Sequence, residues 1–189
     1  MNDQNLILNT DSYKLGHYLQ YPQGTRAISS YITTRGHSSR PEIMFFGLQM
    51  FLKAYLARPV TLTDIDEAEE LATLHGQPFD RAGWTRILNV HGGYLPLRID
   101  ALPEGQAIRR GVPVLQVVNT DPHLPWLTAY METALLRAVW YPSTVATLSW
   151  RLRQTIEPFL ARTSDNADER SALMVSDFGS SKDLSDAAL

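Results

Sequence analysis

Between positions 9 and 22 the chain reads Asn9-Thr-Asp-Ser-Tyr-Lys-Leu-Gly-His-Tyr-Leu-Gln-Tyr-Pro22. Asp11, Ser12, Tyr13, Lys14, His17, Tyr18 and Tyr21 set a carboxylate, hydroxyls, an amine, an imidazole and phenol rings within about three helical turns. On a helix Tyr13, His17 and Tyr21 share one face, and Lys14 and Tyr18 share the adjoining one. A helix that only packs usually carries Leu, Ile and Val there. Rings beside one carboxylate and one amine suit a flat, partly polar ligand better than a lipid or a metal. The same residues also describe a half-buried helix whose tyrosines snorkel and whose Thr10 or Asp11 is a cap. Residue types alone leave both readings open.

A second candidate is Arg35. The run Arg26-Ala-Ile-Ser-Ser-Tyr-Ile-Thr-Thr34 alternates and is rich in β-branched residues, so it predicts a strand that delivers Arg35 to the polar loop Arg35-Gly-His-Ser-Ser-Arg40-Pro41. Glycine beside arginine at a strand end lets backbone and guanidinium approach an anion together, and the guanidinium fork matches phosphate oxygens. Taken alone, an arginine such as Arg35 is more often a solvated loop residue than an anion contact. Arg109-Arg110-Gly111 is a lesser anion candidate, because paired arginines on a hairpin turn commonly only solubilise it. Asp64, Asp66, Glu67, Glu69 and Glu70 fit a solvated helix face favoured by the macrodipole, and no metal is assigned to them.

The elements that hold these groups follow from period and punctuation. Leu6-Ile-Leu8 docks on a core and feeds the tyrosine helix, which Pro22-Gln-Gly24 ends. Residues 42–46 predict a short buried strand and 47–56 a core helix; residues 63–75 predict a helix opened by Thr63 and closed by Gly76, and 79–90 another that stops at His91-Gly-Gly93. From 95 to 118 the period changes to that of a β-meander, with Pro96 and Pro113 at strand starts or edges. Residues 124–138 predict a largely buried helix that Pro142 interrupts, and 144–161 a long amphipathic one with Leu148, Leu152, Ile156 and Leu160 on one stripe. A polar linker then leads to the apolar Ala172-Leu-Met-Val175 and to Ser176-Asp-Phe-Gly179. The class is α+β.

Bulk composition narrows the function. With 189 residues, 44% hydrophobic content, 20% charged content and a net charge of −3, the chain can bury a real core and lacks the basic footprint of a nucleic-acid binder. With no cysteine there are no disulfides, thiolate metal sites or thiol nucleophiles, which fits a reducing cytoplasm. No apolar run reaches membrane-spanning length, and Met1-Asn-Asp-Gln-Asn5 lacks the basic start of a signal peptide. These features predict a soluble cytoplasmic protein.

The motif T-D-S-Y-K-x-x-H-Y-x-x-Y-P, at residues 10–22, resembles the opening of the nicotinamide phosphoribosyltransferases. Further segments match in order: Ser30-Tyr-Ile-Thr-Thr-Arg35, Phe46-Gly-Leu-Gln49, Gly83-Trp84, Gly93-Tyr-Leu-Pro-Leu97, Pro103-Glu-Gly105, Val118-Asn-Thr-Asp-Pro122 with Trp126-Leu127, and Glu132-Thr133 through Trp140-Tyr-Pro142 to Val145-Ala-Thr147. The resemblance implies the N-terminal portion of a type II phosphoribosyltransferase, an α+β domain over residues 1–162 with a linker and the start of an α/β barrel over 163–189. It implies transfer of phosphoribose from phosphoribosyl pyrophosphate to nicotinamide, with Mg²⁺, in a homodimer. It makes Tyr13 and Phe178 the rings that sandwich nicotinamide across two subunits, Asp11 and Asp177 the carboxylates that orient it, and Arg35 a phosphate contact. No catalytic acid, base or nucleophile is assigned. The family pattern has a His just before D-F-G and an Arg-Gly after it, where this chain has Ser176, Ser181 and Lys182. That departure, with the short length, predicts a truncated chain, and a non-catalytic dimerising or binding module is the alternative to an enzyme. Nicotinate phosphoribosyltransferase is the other alternative.

Overall fold

The computed structural model describes residues 5–35 and 41–166. Its strands form two antiparallel sheets. Strands β1 (Ser29–Thr33), β3 (Leu97–Ala101) and β5 (Pro113–Asn119) make the larger, in the order β1-β5-β3, and β2 (Glu42–Met44) pairs with β4 (Ala107–Arg109) in the smaller. Helix α1 (Leu48–Phe51) runs into a π-helical turn (Leu52–Leu56), and α2 (Leu62–Leu74), α3 (Arg81–His91), α4 (Leu127–Tyr130) and α5 (Glu132–Thr163) follow. The α+β class and the antiparallel pairing are as the sequence predicts.

Strand order is a different matter. Leu115, Val117 and Asn119 are buried along one face of β5, while on the other Val114 is buried and Gln116 exposed, and the strand takes a partner on each edge. The chain between β3 and β5 therefore does not fill the place between them: β4 leaves to pair with β2, setting buried Ile108 opposite buried Ile43. A period of two identifies a strand but not its neighbour. The cap of α2 also moves. Thr61, not Thr63, forms the capping box, accepting from Asp64 N at 3.2 Å while Asp64 Oδ2 accepts from Thr61 N at 2.9 Å.

The largest correction concerns Pro142. The helix does not stop there: α5 runs unbroken through Pro142 and Pro158. An interior proline leaves the carbonyl four residues earlier without its helical donor. Here that carbonyl belongs to Ala138, and Gly47 fits against it so closely that a β-carbon would lie 2.3 Å from Ala138 O and 2.7 Å from Pro142 Cβ. Ser143 Oγ accepts from Phe46 N and donates to Phe46 O, both at 3.0 Å. Thr147 Oγ1 accepts from Met44 N at 2.9 Å, and the Arg151 guanidinium donates to Glu42 O at 2.8 Å. Four helical residues rise about 6 Å and two strand residues about 6.6 Å, so Ser143, Thr147 and Arg151 step along α5 in time with alternate backbone groups of the strand. Tertiary contact on both sides of the proline thus favours the continuous helix.

Two apolar cores result. One joins Ile43, Phe45, Val114, Val117, Leu135 and Val139 between the sheets and α5; the other gathers Ile65, Trp84, Ile87, Trp126, Leu127 and Tyr130 under α2, α3 and α4. Leu95 and Leu97 touch both. Among the described residues no helix is long and apolar enough to cross a membrane.

Candidate functional site

Ser12–Gln20 forms a 3-10 helix, not the α-helix implied by the spacing of its rings. Its tighter turn redistributes the faces. Lys14 and Leu15 point into the protein, whereas Tyr13 is 55% exposed, and the Tyr13 and His17 rings lie 5.1 Å apart. Tyr21 leaves the predicted shared face and, with Tyr18, packs against the core around Trp84. Burial raises the phenol pKa of both, helped at Tyr18 by the charge of Asp80.

Asp11 occupies the cap position of this helix, yet its carboxylate makes no capping bond. It instead accepts from Thr133 Oγ1 at 2.6 Å. Thr10 Oγ1 donates to Tyr130 O at 3.0 Å, and Lys14 Nζ donates to Ala129 O at 3.3 Å and pairs with the Glu132 carboxylate. The aromatic segment is therefore fastened side chain by side chain to α4 and the start of α5.

Beyond that fastening lies a groove of about 1240 Å³ between β1 and α5. Asp11 and Arg35 both line it, although the 3-10 helix separates them in the chain, and Arg110, Arg137 and Arg151 add three more guanidinium groups. Arg110 reaches across to donate to Arg35 O at 2.5 Å, so the two minor and major anion candidates of the sequence meet at one rim. The Thr34 hydroxyl, also in the lining, is buried without a hydrogen-bond partner among the described residues. A wall with four cationic groups, accepting carboxylates at Asp11 and Glu132 and the exposed rings of Tyr31 and Trp140 can hold an anionic ligand that also carries an apolar part.

Sequence reasoning missed Thr133, Arg137 and Arg151. A polar break in a nearly continuous apolar run was the one signal for Thr133 and Arg137, and it did not say which way they faced. Tyr13 does not line the groove, and Asp177 and Phe178 lie outside the described residues, so the sandwich expected of Tyr13 and Phe178 has one ring in view. Among the described residues there is no group of three or more His, Asp or Glu side chains that could hold a metal ion.

A separate polar centre is structural. Buried Asp121 accepts from Arg86 Nε at 2.7 Å, from the His91 ring at 2.8 Å and from His123 N at 2.9 Å. Burial pushes its carboxyl up, but the hydrogen bonds from Arg86, His91 and the His123 amide outweigh this and hold it well below the usual range.

A family model for the N-terminal domain of nicotinamide phosphoribosyltransferase matches residues 5–99. The chain is 47% identical over 175 residues, 93% of its length, to the nicotinamide phosphoribosyltransferase of Xanthomonas campestris pv. campestris. It belongs to the nicotinamide phosphoribosyltransferase family. The enzyme of that name from Acinetobacter baylyi is 32% identical over 81% of this chain. Among solved structures, human nicotinic acid phosphoribosyltransferase superposes with a TM-score of 0.54 and 28% identity, covering 77% of this chain and 28% of that one. The fold is thus that of the N-terminal part of a type II phosphoribosyltransferase. The chain spans 37% of the Xanthomonas relative and 33% of the Acinetobacter one.

Proposed function

We propose that this chain supplies the N-terminal part of a nicotinamide phosphoribosyltransferase site, joining nicotinamide to phosphoribosyl pyrophosphate to give nicotinamide mononucleotide and pyrophosphate. In that transfer the pyridine nitrogen bonds to the anomeric carbon while the carbon–oxygen bond to pyrophosphate breaks, and pyrophosphate leaves with the electron pair. The protein's work is positioning and charge neutralisation. Tyr13 offers a face for the pyridine ring, Asp11 accepts from the carboxamide N–H, and Arg35 meets phosphate oxygens. Asp177 and Phe178 complete the ring site from a partner subunit. One observation carries this reading: Asp11 and Arg35, the ring-orienting and phosphate residues of the family motif, line a single groove.

A homodimer belongs to the proposal, because the solvent-facing Tyr13 ring has a face to give to a second subunit. Nicotinate is the second reading, favoured by the likeness to the human nicotinic acid enzyme. Asp11 argues against it, since an accepting carboxylate attracts an amide donor and repels a second carboxylate. The test is a set of ligand titrations with nicotinamide, nicotinate and phosphoribosyl pyrophosphate plus Mg²⁺, run on wild type, Tyr13→Ala and Arg35→Ala. Tyr13→Ala is expected to weaken nicotinamide binding and Arg35→Ala phosphoribosyl pyrophosphate binding. Preference for nicotinate, or binding indifferent to both substitutions, would overturn the assignment.

A further inference from the structure

We infer that Lys14 is the positioning residue of the nicotinamide site, holding Tyr13 at its station through Glu132; the inference rests on the nicotinamide reading above. The Lys14 side chain is 3% exposed, its ammonium pairs with the Glu132 carboxylate, and it donates to Ala129 O at 3.3 Å. An ammonium is costly to bury, and an apolar residue would fill the space more cheaply, as neighbouring Leu15 does. What a charged pair adds is direction. Nine residues is a long run for a 3-10 helix, whose own hydrogen bonds are poorly aligned, so its rotation is set by anchors outside it. Tyr13 and Lys14 are consecutive, about 120° apart on such a helix, so a Lys14 locked inward fixes Tyr13 outward. The ammonium also lies 5.7 Å from the Tyr13 ring centroid, which restrains the ring itself. Glu132 belongs to the groove lining, so one ion pair ties the ring's helix to the wall that carries Arg137 and faces Arg35.

The test uses the 189-residue chain. Amide hydrogen exchange over residues 12–20 is compared in wild type, Lys14→Met, Glu132→Gln and the double variant, with nicotinamide titrated by NMR into each and into Tyr13→Ala. Both single variants are expected to speed exchange over 12–20 while Arg81–His91 keeps its protection. Nicotinamide binding should weaken about threefold or more, the double variant doing no worse than either single one because both break the same contact. Glu132, 57% exposed, lets its variant carry the experiment should Lys14→Met fail to fold. Unchanged exchange over 12–20, or faster exchange with wild-type nicotinamide binding, overturns the role of Lys14. If Tyr13→Ala binds as wild type does, or wild type does not bind, the nicotinamide reading has failed and the positioning role falls with it.

Discussion

Asp121 gathers more hydrogen bonds than any capping role needs, and the consequence is a pH dependence with a definite sign. Against the opposing effect of burial, the donors from Arg86, His91 and the His123 amide favour the charged form, so its folded-state carboxyl titrates well below the usual carboxylate range. A depressed carboxylate contributes stability that is fully present above the unfolded value and is lost as the pH falls through the folded one. Acid should therefore destabilise the wild-type chain progressively below about pH 4. Asp121→Asn removes the charge-assisted acceptor for Arg86 and His91 and should cost roughly 2 kcal/mol at pH 7. Its urea midpoint should also fall less steeply than that of wild type between neutral and acid pH. Parallel acid limbs in the two proteins would contradict this account. At the site itself, Asp11→Asn keeps the bond from Thr133 but removes the negative charge, so it should narrow any preference for nicotinamide over nicotinate, measured as a ratio of binding constants.

Among the elements, α5 and the strand it grips are the most exposed to single changes. Gly47 has φ +108, a conformation that side chains avoid, and a β-carbon there meets Ala138 O and Pro142. Gly47→Ala combines backbone strain with a backbone collision and should lower stability by about 3 kcal/mol, read as a loss of urea midpoint at constant slope. Thr61→Ala at the cap of α2 removes one accepting oxygen at a partly exposed helix end and should cost only about 1 kcal/mol. The contrast between the two separates a contact that shapes the tertiary frame from one that tunes a single element. Should Gly47→Ala prove as mild as Thr61→Ala, the packing of α1 against the Pro142 turn would be misread.

For the molecule as a whole, the ring site and the chemistry must be kept apart. A polypeptide of these 189 residues spans 37% of the Xanthomonas relative, and its described groove is lined by Arg35, Arg110, Arg137, Arg151 and the Asp11 carboxylate. Positioning and electrostatics carry phosphoribosyl transfer, so this polypeptide alone should form no measurable nicotinamide mononucleotide while retaining weak, millimolar-scale nicotinamide binding. Turnover abolished by Tyr13→Ala and Arg35→Ala would refute the first half and support the site. Light scattering at high micromolar concentration should give a dimer mass. A monomer there would remove the shared ring sandwich from the proposal.

Much of this was legible in the residues. Alternation and β-branching marked β1, β3 and β5, helical periodicity marked α2 and α3, with acids loaded at the start of α2 alone, and the spacing of Thr10 to Pro22 carried the family. Those signals are local: each depends on side chains a few positions apart on one element. The tertiary structure decided what depends on distant partners. It set β4 beside β2 because Ile108 completes a core with Ile43, and it carried α5 through Pro142 because Gly47 and Ser143 pack and bond around the break. It drew the aromatic segment into a 3-10 turn whose inward Lys14 finds Glu132 and whose Asp11 finds Thr133. It also brought Arg35, Arg110, Arg137 and Arg151 to one groove, since a guanidinium's direction follows from the packing of the element beneath it, which no run of neighbouring residues encodes.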